Sequence, residues 1–297
     1  MYNESSVLYN DRRSLPVPDL VMMDNLTFET YLQQPPVDLA RAALHLAQEI
    51  GYPQLDIQHY LQRLEHLAEL ASEAIPESEP DRQRAISLSD FLFNQLRFKG
   101  NAADYDDPRN SYLNQVLDRR LGIPISLAAV YLDIAHRLHI AAEGIGMPGH
   151  FIVGVPIPDL DEHLYLDPFH GGRLLTPADC LRLVQQSTGY QGEFRPEWLA
   201  PASTTRILVR MLFNLRNIYL QTKDWLHAQS VVEHMAQLEP EAPDHLRDLG
   251  VIYYQSGSLS KAVYYYEQYL LRAPQAEDAG LVRTSLQTAA QQLAQLN

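Results

Sequence analysis

Three residues carry the chemistry this sequence could support. His150 opens the strand-like run His150–Pro156, Asp167 closes a second run, Glu162–Pro168, and Ser126 lies near the start of the helix-like stretch that begins at Pro124. In the first run Phe151, Val153 and Val155 alternate, as do Leu164 and Leu166 in the second, so each reads as a strand with one buried face. The intervening PIPDLD is a turn by composition. An antiparallel hairpin centred on Asp159 places His150 opposite residue 167 or 168, so His150 and Asp167 share a face. There the carboxylate can fix the imidazole tautomer, the orienting role in a nucleophilic triad. The nucleophile would come from a helix N-terminus, where amides and dipole favour negative charge. A cysteine there would be activated, but the residue present is Ser126. A hydroxyl gains less from the dipole and needs His150 as general base.

Two other chemistries compete for the same stretch. His150, His163, Asp167 and His170 lie close in sequence, but their spacing matches no zinc signature, and no metal or cofactor is expected. Cys180, the sole cysteine, sits inside a helix without a helix-start dipole or an evident base, so it reads as an inert buried thiol. Asn101, Tyr105, Arg109 and Asn110 precede the Ser126 region. They fit either loop anchoring by side-chain to backbone bonds or the wall of a pocket around His150.

The elements that must position these groups fall into four segments. Residues 1–25 are a polar arm with two prolines. Residues 26–100 carry helical periodicity, with Leu39, Ala42, Ala43, Leu46 and Ile50 on one stripe, a second helix over 57–74 and a third over 82–98. Residues 101–200 run helix, helix, strand, strand, helix. Pro124 suits a first helical turn, and Thr176 with Asp179 forms a capping box for the last helix. Residues 203–297 return to helix with a 34-residue repeat: Leu212/Leu246, Leu215/Leu249, Tyr219/Tyr253, Ala228/Ala262 and Pro240/Pro274. That period and pattern are those of the tetratricopeptide repeat. The second copy is the closer match, with Leu246, Leu249, Gly250, Tyr253, Ala262, Tyr266 and Pro274; in the first, Arg216 stands for the Gly and Val232 for the Phe. Two repeats and a last helix over 277–295 are few for independent stability, so they should dock on the preceding residues.

Three further motifs make the reading specific. G-I-P-I-S-L stands at Gly122–Leu127, P-G-H-F at Pro148–Phe151 and D-P-F-x-G-G at Asp167–Gly172. With these, residues 40–200 resemble the SirB-type transglutaminase-like family, which the C-terminal repeats also fit. The resemblance implies a papain-like core: cysteine at a helix start, histidine on a strand, aspartate on the next. By that resemblance Ser126 takes the cysteine's place, His150 the histidine's and Asp167 the aspartate's. Because the thiol is missing, thiol-dependent transglutaminase activity is not expected.

The chain has 297 residues, 23 Lys plus Arg against 37 Asp plus Glu, and a net charge of −14, which argues against nucleic acid or an anionic membrane as partner. No apolar stretch is long enough to span a membrane, the first 25 residues lack a signal-peptide core, and one cysteine fits a reducing compartment, so the expected location is cytoplasmic. The expectation is therefore an α+β, mostly helical chain: a transglutaminase-like core with a small antiparallel sheet, then tetratricopeptide hairpins. The expected function is a cytoplasmic interaction or scaffolding protein, binding a protein or peptide through the repeats, with a degenerate site. The alternative is a Ser126–His150–Asp167 hydrolase or acyltransferase acting on a peptide or amide.

Overall fold

The computed structural model describes residues 26–158 and 162–296, so the 1–25 arm and the turn around Asp159 lie outside the described residues. The chain is mostly helical, with a small antiparallel sheet in its middle. Four helices come first: α1 (Phe28–Leu32), α2 (Leu39–Ile50), α3 (Ile57–Ala74) and α4 (Asp81–Asp90), which runs on into a π-turn over Phe91–Gln95. Asp38 and Asp56 cap α2 and α3 by accepting the Arg41 and His59 amides. The expected third helix over 82–98 is thus shorter as an α-helix, because its last turn widens at Phe91–Gln95.

Next come a parallel pair, β1 (Lys99–Gly100) and β2 (Leu121–Gly122), the short helix α5 (Leu113–Arg119) and helix α6 (Pro124–Arg137). Strands β3 (Glu143–Met147), β4 (His150–Ile157), β5 (Glu162–Asp167) and β6 (Arg173–Leu175) form one antiparallel sheet in that order. The sequence reading contained only β4 and β5. Two glycines interrupt the apolar pattern of β3, and β6 has three residues, so neither gives a legible alternation.

The sheet also buries more than one face. Phe151, Val153, Val155, Leu164 and Leu166 join the main core with Leu127, Val130, Tyr131 and Ile134 of α6. On the other side Ile145, Met147, Ile152 and Leu175 pack on Cys180, Leu183 and Val184 of α7 (Pro177–Thr188). β4 is therefore sandwiched between two helices, and its even-numbered positions His150, Ile152 and Gly154 are buried as well as its odd ones.

The C-terminal helices are α8 (Thr204–Thr222), α9 (Trp225–Leu238), α10 (Asp244–Gln255), α11 (Leu259–Arg272) and α12 (Ala279–Leu296). They pack as the successive hairpins of a repeat array. Gly250 shows why the repeat wants a small residue there: a Cβ would come 2.5 Å from the Tyr266 ring, so α10 could not lie as close to α11. The array leans on the N-terminal helices. The Tyr112 and Tyr219 hydroxyls bond at 2.9 Å, and His234 Nε2 reaches Glu49 at 2.9 Å while its ring packs on Phe28.

Candidate functional site

His150 is the first residue of β4 and Asp167 the last of β5. The β4–β5 register pairs Val153 with Leu166 and Gly154 with Tyr165. Continued by one step, it sets Ile152 across from Asp167, so His150 meets the carboxylate on the diagonal rather than directly opposite. The imidazole Nε2 lies 3.0 Å from Asp167 Oδ1. Oδ2 takes His170 Nδ1 at 2.6 Å, and Arg173 Nε lies 3.4 Å away. Asp167 is fully buried, and His150 is 7% exposed.

Burial alone would raise the Asp167 carboxyl. The hydrogen bonds and positive charge offered by His150 and His170 more than offset it, holding the group below its ordinary value. An ionised carboxylate only accepts, so His150 carries its proton on Nε2. The other ring nitrogen, Nδ1, has no hydrogen-bond partner among the described residues. His150 is thus oriented as a base would be.

Ser126 is not brought to it. Ile123 is the N-cap of α6, Pro124 occupies the first helical position, and Ser126 is the third residue. Its Oγ donates to the Asn110 carbonyl at 2.6 Å and accepts the Ile123 amide at 3.1 Å, and the residue is 0% exposed. Helix periodicity turns this position inward, while Ile123, Pro124 and Ile125 face the cleft that His150 lines. Among the described residues no hydrogen bond joins Ser126 to His150. Gly122 supports the arrangement, since a Cβ there would press to 2.7 Å of Ser126 Oγ. Ser126→Ala leaves the Asn110 carbonyl and Ile123 amide short of one buried partner each. We expect it to cost about 1–2 kcal/mol, read by urea unfolding.

The polar residues before α5 mostly anchor their own loop. Asn101 Nδ2 donates to Asn110 Oδ1, Asn110 Nδ2 to the Asp104 and Tyr105 carbonyls, and Arg109 and Arg119 pair with Asp107. Tyr105 alone of the four flagged residues lines the cleft, its ring edge-on to Phe169, which in turn stands edge-on to His150. The cleft has a volume of about 560 Å³ and is bounded on its far side by α8.

His150, Asp167 and His170 could in principle offer three metal ligands, with one atom from each lying within 4.8 Å of the others. Here they satisfy one another: each carboxylate oxygen faces one imidazole, and the Arg173 cation sits alongside. His163 stands across from Pro156 and stacks on Tyr165, apart from this cluster. Cys180 is 0% exposed in the α7 layer, and burial, followed by the charges of Asp179 and Asp167, pushes its thiol up to about 11. It should not react with Ellman's reagent in the native protein and should release one equivalent of chromophore in denaturant; a prompt native reaction would contradict this burial.

A family model described as the transglutaminase-like superfamily matches residues 58–213, and a tetratricopeptide-repeat model matches residues 215–287. The chain belongs to the transglutaminase-like superfamily. A UPF0162 protein of Xylella fastidiosa is 36% identical over 254 residues, covering 84% of this chain and 88% of that one. F-box only protein 21 of Homo sapiens is 38% identical over 122 residues, 39% of this chain and 19% of that one. A crystal structure of menin, titled for its binding site for the Mixed Lineage Leukemia protein, superposes over 87% of the chain with a TM-score of 0.37 and 10% identity, too low to bear on the site. The superfamily match spans α3 to α8 and so encloses Ser126, His150 and Asp167. The second match begins within α8 and takes in the helical hairpins after it, a repeat type that generally mediates protein–protein interaction. Among the described residues no helix is long and apolar enough to cross a membrane.

Sequence reasoning did not find Arg206 and Arg210. Both line the cleft from α8, roughly sixty residues after His150, and no local motif announces them.

Proposed function

We propose that this chain is a cytoplasmic protein-interaction or scaffolding protein of the SirB type, whose papain-like site keeps its histidine–aspartate pair without a working nucleophile. The division into an arm (1–25), a helical part (26–100), a transglutaminase-like core (101–200) and repeats (203–297) belongs to the same proposal. One observation carries it: Ser126 Oγ is buried and committed to the Asn110 carbonyl and the Ile123 amide. To attack a substrate the hydroxyl would have to leave both partners and turn out of the core, while its neighbours toward the cleft are isoleucine and proline. A His–Asp pair without an adjacent nucleophile binds and orients polar groups but forms no covalent intermediate. The repeats supply a second surface for a protein or peptide.

Fluorophosphonate labelling of the purified chain, read by peptide mass spectrometry, tests this. The expected result is no adduct at Ser126 in wild type, Ser126→Ala or His150→Ala. Stoichiometric labelling at Ser126 that disappears in His150→Ala would replace the proposal with a serine hydrolase or acyltransferase using Ser126, His150 and Asp167.

A further inference from the structure

The cleft beside His150 has an uneven charge. Its far wall is a stripe of α8 comprising Arg206, Val209, Arg210 and Phe213. The Arg210 guanidinium donates to the Met147 carbonyl at 2.8 Å and the His150 carbonyl at 2.7 Å, and lies over the Phe151 ring at 5.5 Å. These partners are all neutral, and the head has five donors, of which these bonds take two. Arg206, one helical turn earlier, is exposed, and its guanidinium has no hydrogen-bond or ion-pair partner among the described residues. Burial of Arg210 lowers its proton affinity, as expected for a cation held without a counter-ion.

Elsewhere several arginines of this acidic chain are paired with carboxylates, while Arg120, Arg272 and Arg283, which make no ion pair among the described residues, are exposed and donate to carbonyls. Arg63 pairs with Asp118, Arg109 and Arg119 with Asp107, Arg137 with Asp133 and Arg173 with Asp167. Partly buried Arg119, Arg137, Arg216 and Arg247 each face a carboxylate; Arg210, equally withdrawn from solvent, faces only carbonyls and a ring, and the exposed Arg206 adds a second cation to the same wall. The acids that share the cleft do not supply the missing charge: Glu239 accepts from His245 at 3.2 Å, and Glu197 is exposed and makes no ion pair among the described residues. At the floor Ile123, Pro124 and Ile125, at the start of the 14-residue helix α6, line the same space. His150, its side chain 8% exposed and its Nδ1 unpartnered, closes the end. A volume of about 560 Å³ suits a short peptide segment.

We propose that this cleft is a binding site for a peptide carboxylate, either an acidic side chain or a free C-terminus, held by Arg206 and the remaining donors of Arg210. Arginine is the residue suited to this task, since its planar fork matches both carboxylate oxygens. The site rests on the interaction reading above only in taking a peptide as the ligand; it does not require Ser126 to be inert. It moves part of the recognition surface from the repeats to the seam between their first helix and the core.

Fluorescence anisotropy of the full chain with labelled peptides tests the site. One probe is hexaglutamate with an amidated C-terminus; the other is a Gly-Ser hexapeptide with a free C-terminus, with its amidated form as control. The chain's net charge of −14 repels hexaglutamate at long range, so saturable binding of that probe requires a local cationic site. We expect one of the two carboxylate probes to bind, and which one tells a side chain from a terminus. Arg206→Ala, at an exposed position, should weaken it at least tenfold, and Arg210→Lys, which keeps the charge and loses the fork, likewise. Absence of saturable binding by both probes, or wild-type affinity in the Arg206→Ala/Arg210→Lys double variant, overturns the site. A labelled Ser126 alongside arginine-dependent peptide binding would overturn the inert-site reading and leave this one standing.

Discussion

Replacing Asp167 with alanine is expected to destabilise the protein by about 3 kcal/mol, measured as a shift of the urea midpoint at unchanged slope. The magnitude follows from what the carboxylate holds. It is fully buried, accepts from His150 Nε2 and His170 Nδ1, and caps the short helical turn Pro168–His170 through the His170 amide. Removing it strands the His150 donor in a site that is more than nine-tenths closed. The His170 and Arg173 side chains are about half exposed, so water screens their share, and the loss stays at the lower end of what breaking a buried pair costs. Asp167→Asn keeps an acceptor for one imidazole and presents a donor to the other, so its loss should be smaller, about 1–2 kcal/mol. Equal losses for the two variants would mean that the charge, rather than the acceptor geometry, is what the site needs.

The same residue sets a pH dependence. Its folded-state carboxyl lies below the ordinary value, so the stability it contributes is fully present above the unfolded value, near pH 4, and is lost as pH falls through the folded one. The difference in unfolding free energy between wild type and Asp167→Asn should shrink as pH falls below about 4, where the folded carboxyl takes up its proton. A difference that instead grows as pH falls through about 4 would give the carboxyl a raised folded value and remove the reason for placing a His150 proton on Nε2.

The sequence carried the His150–Asp167 pairing because period-2 alternation fixes which residues share a face, and the observed register, with Ile152 rather than His150 across from Asp167, differs from direct pairing by two residues and so keeps both on one face. It also carried the repeat. Leu249, Tyr253 and Ala262 are buried where a 34-residue period puts them, and Gly250 meets Tyr266. The orientation of Ser126 was not legible. A helix start is uncertain by a residue or two in sequence, and one residue changes a side chain's direction by about 100°. The groups that hold Ser126, the Asn110 carbonyl above all, are backbone atoms of another segment that no pattern displays. The cleft failed to show for the same reason, since its arginine wall comes from a helix that packs on the core only through long-range contacts. What spacing can assert is which side chains share an element's face; what it leaves open is which faces meet.

Gly172 is the second position where a large effect is expected, and its neighbour supplies the control. Both glycines of the Asp167–Gly172 motif have left-handed backbones, with φ of 73° at Gly171 and 71° at Gly172. At Gly171 a Cβ would meet nothing within 4 Å, so alanine there should cost only the backbone strain, about 1–2 kcal/mol. At Gly172 the same Cβ would run into Ser89 Oγ and come 2.5 Å from the Phe93 ring. Ser89 is buried and donates to the Gly172 carbonyl at 3.0 Å, and the Gly172 amide bonds the Asp167 carbonyl at 2.8 Å. The clash therefore pushes on the backbone that ends β5 and holds the carboxylate. Strain and overpacking together should cost about 2–4 kcal/mol. Because the displaced segment is the one that carries Asp167, Gly172→Ala should also shift the His150 and His170 ring resonances in an NMR spectrum, whereas Gly171→Ala should leave those of His150 in place. Equal unfolding losses for the two alanine variants would show that Ser89 and Phe93 yield without cost, and that the second glycine is required for its backbone angle alone.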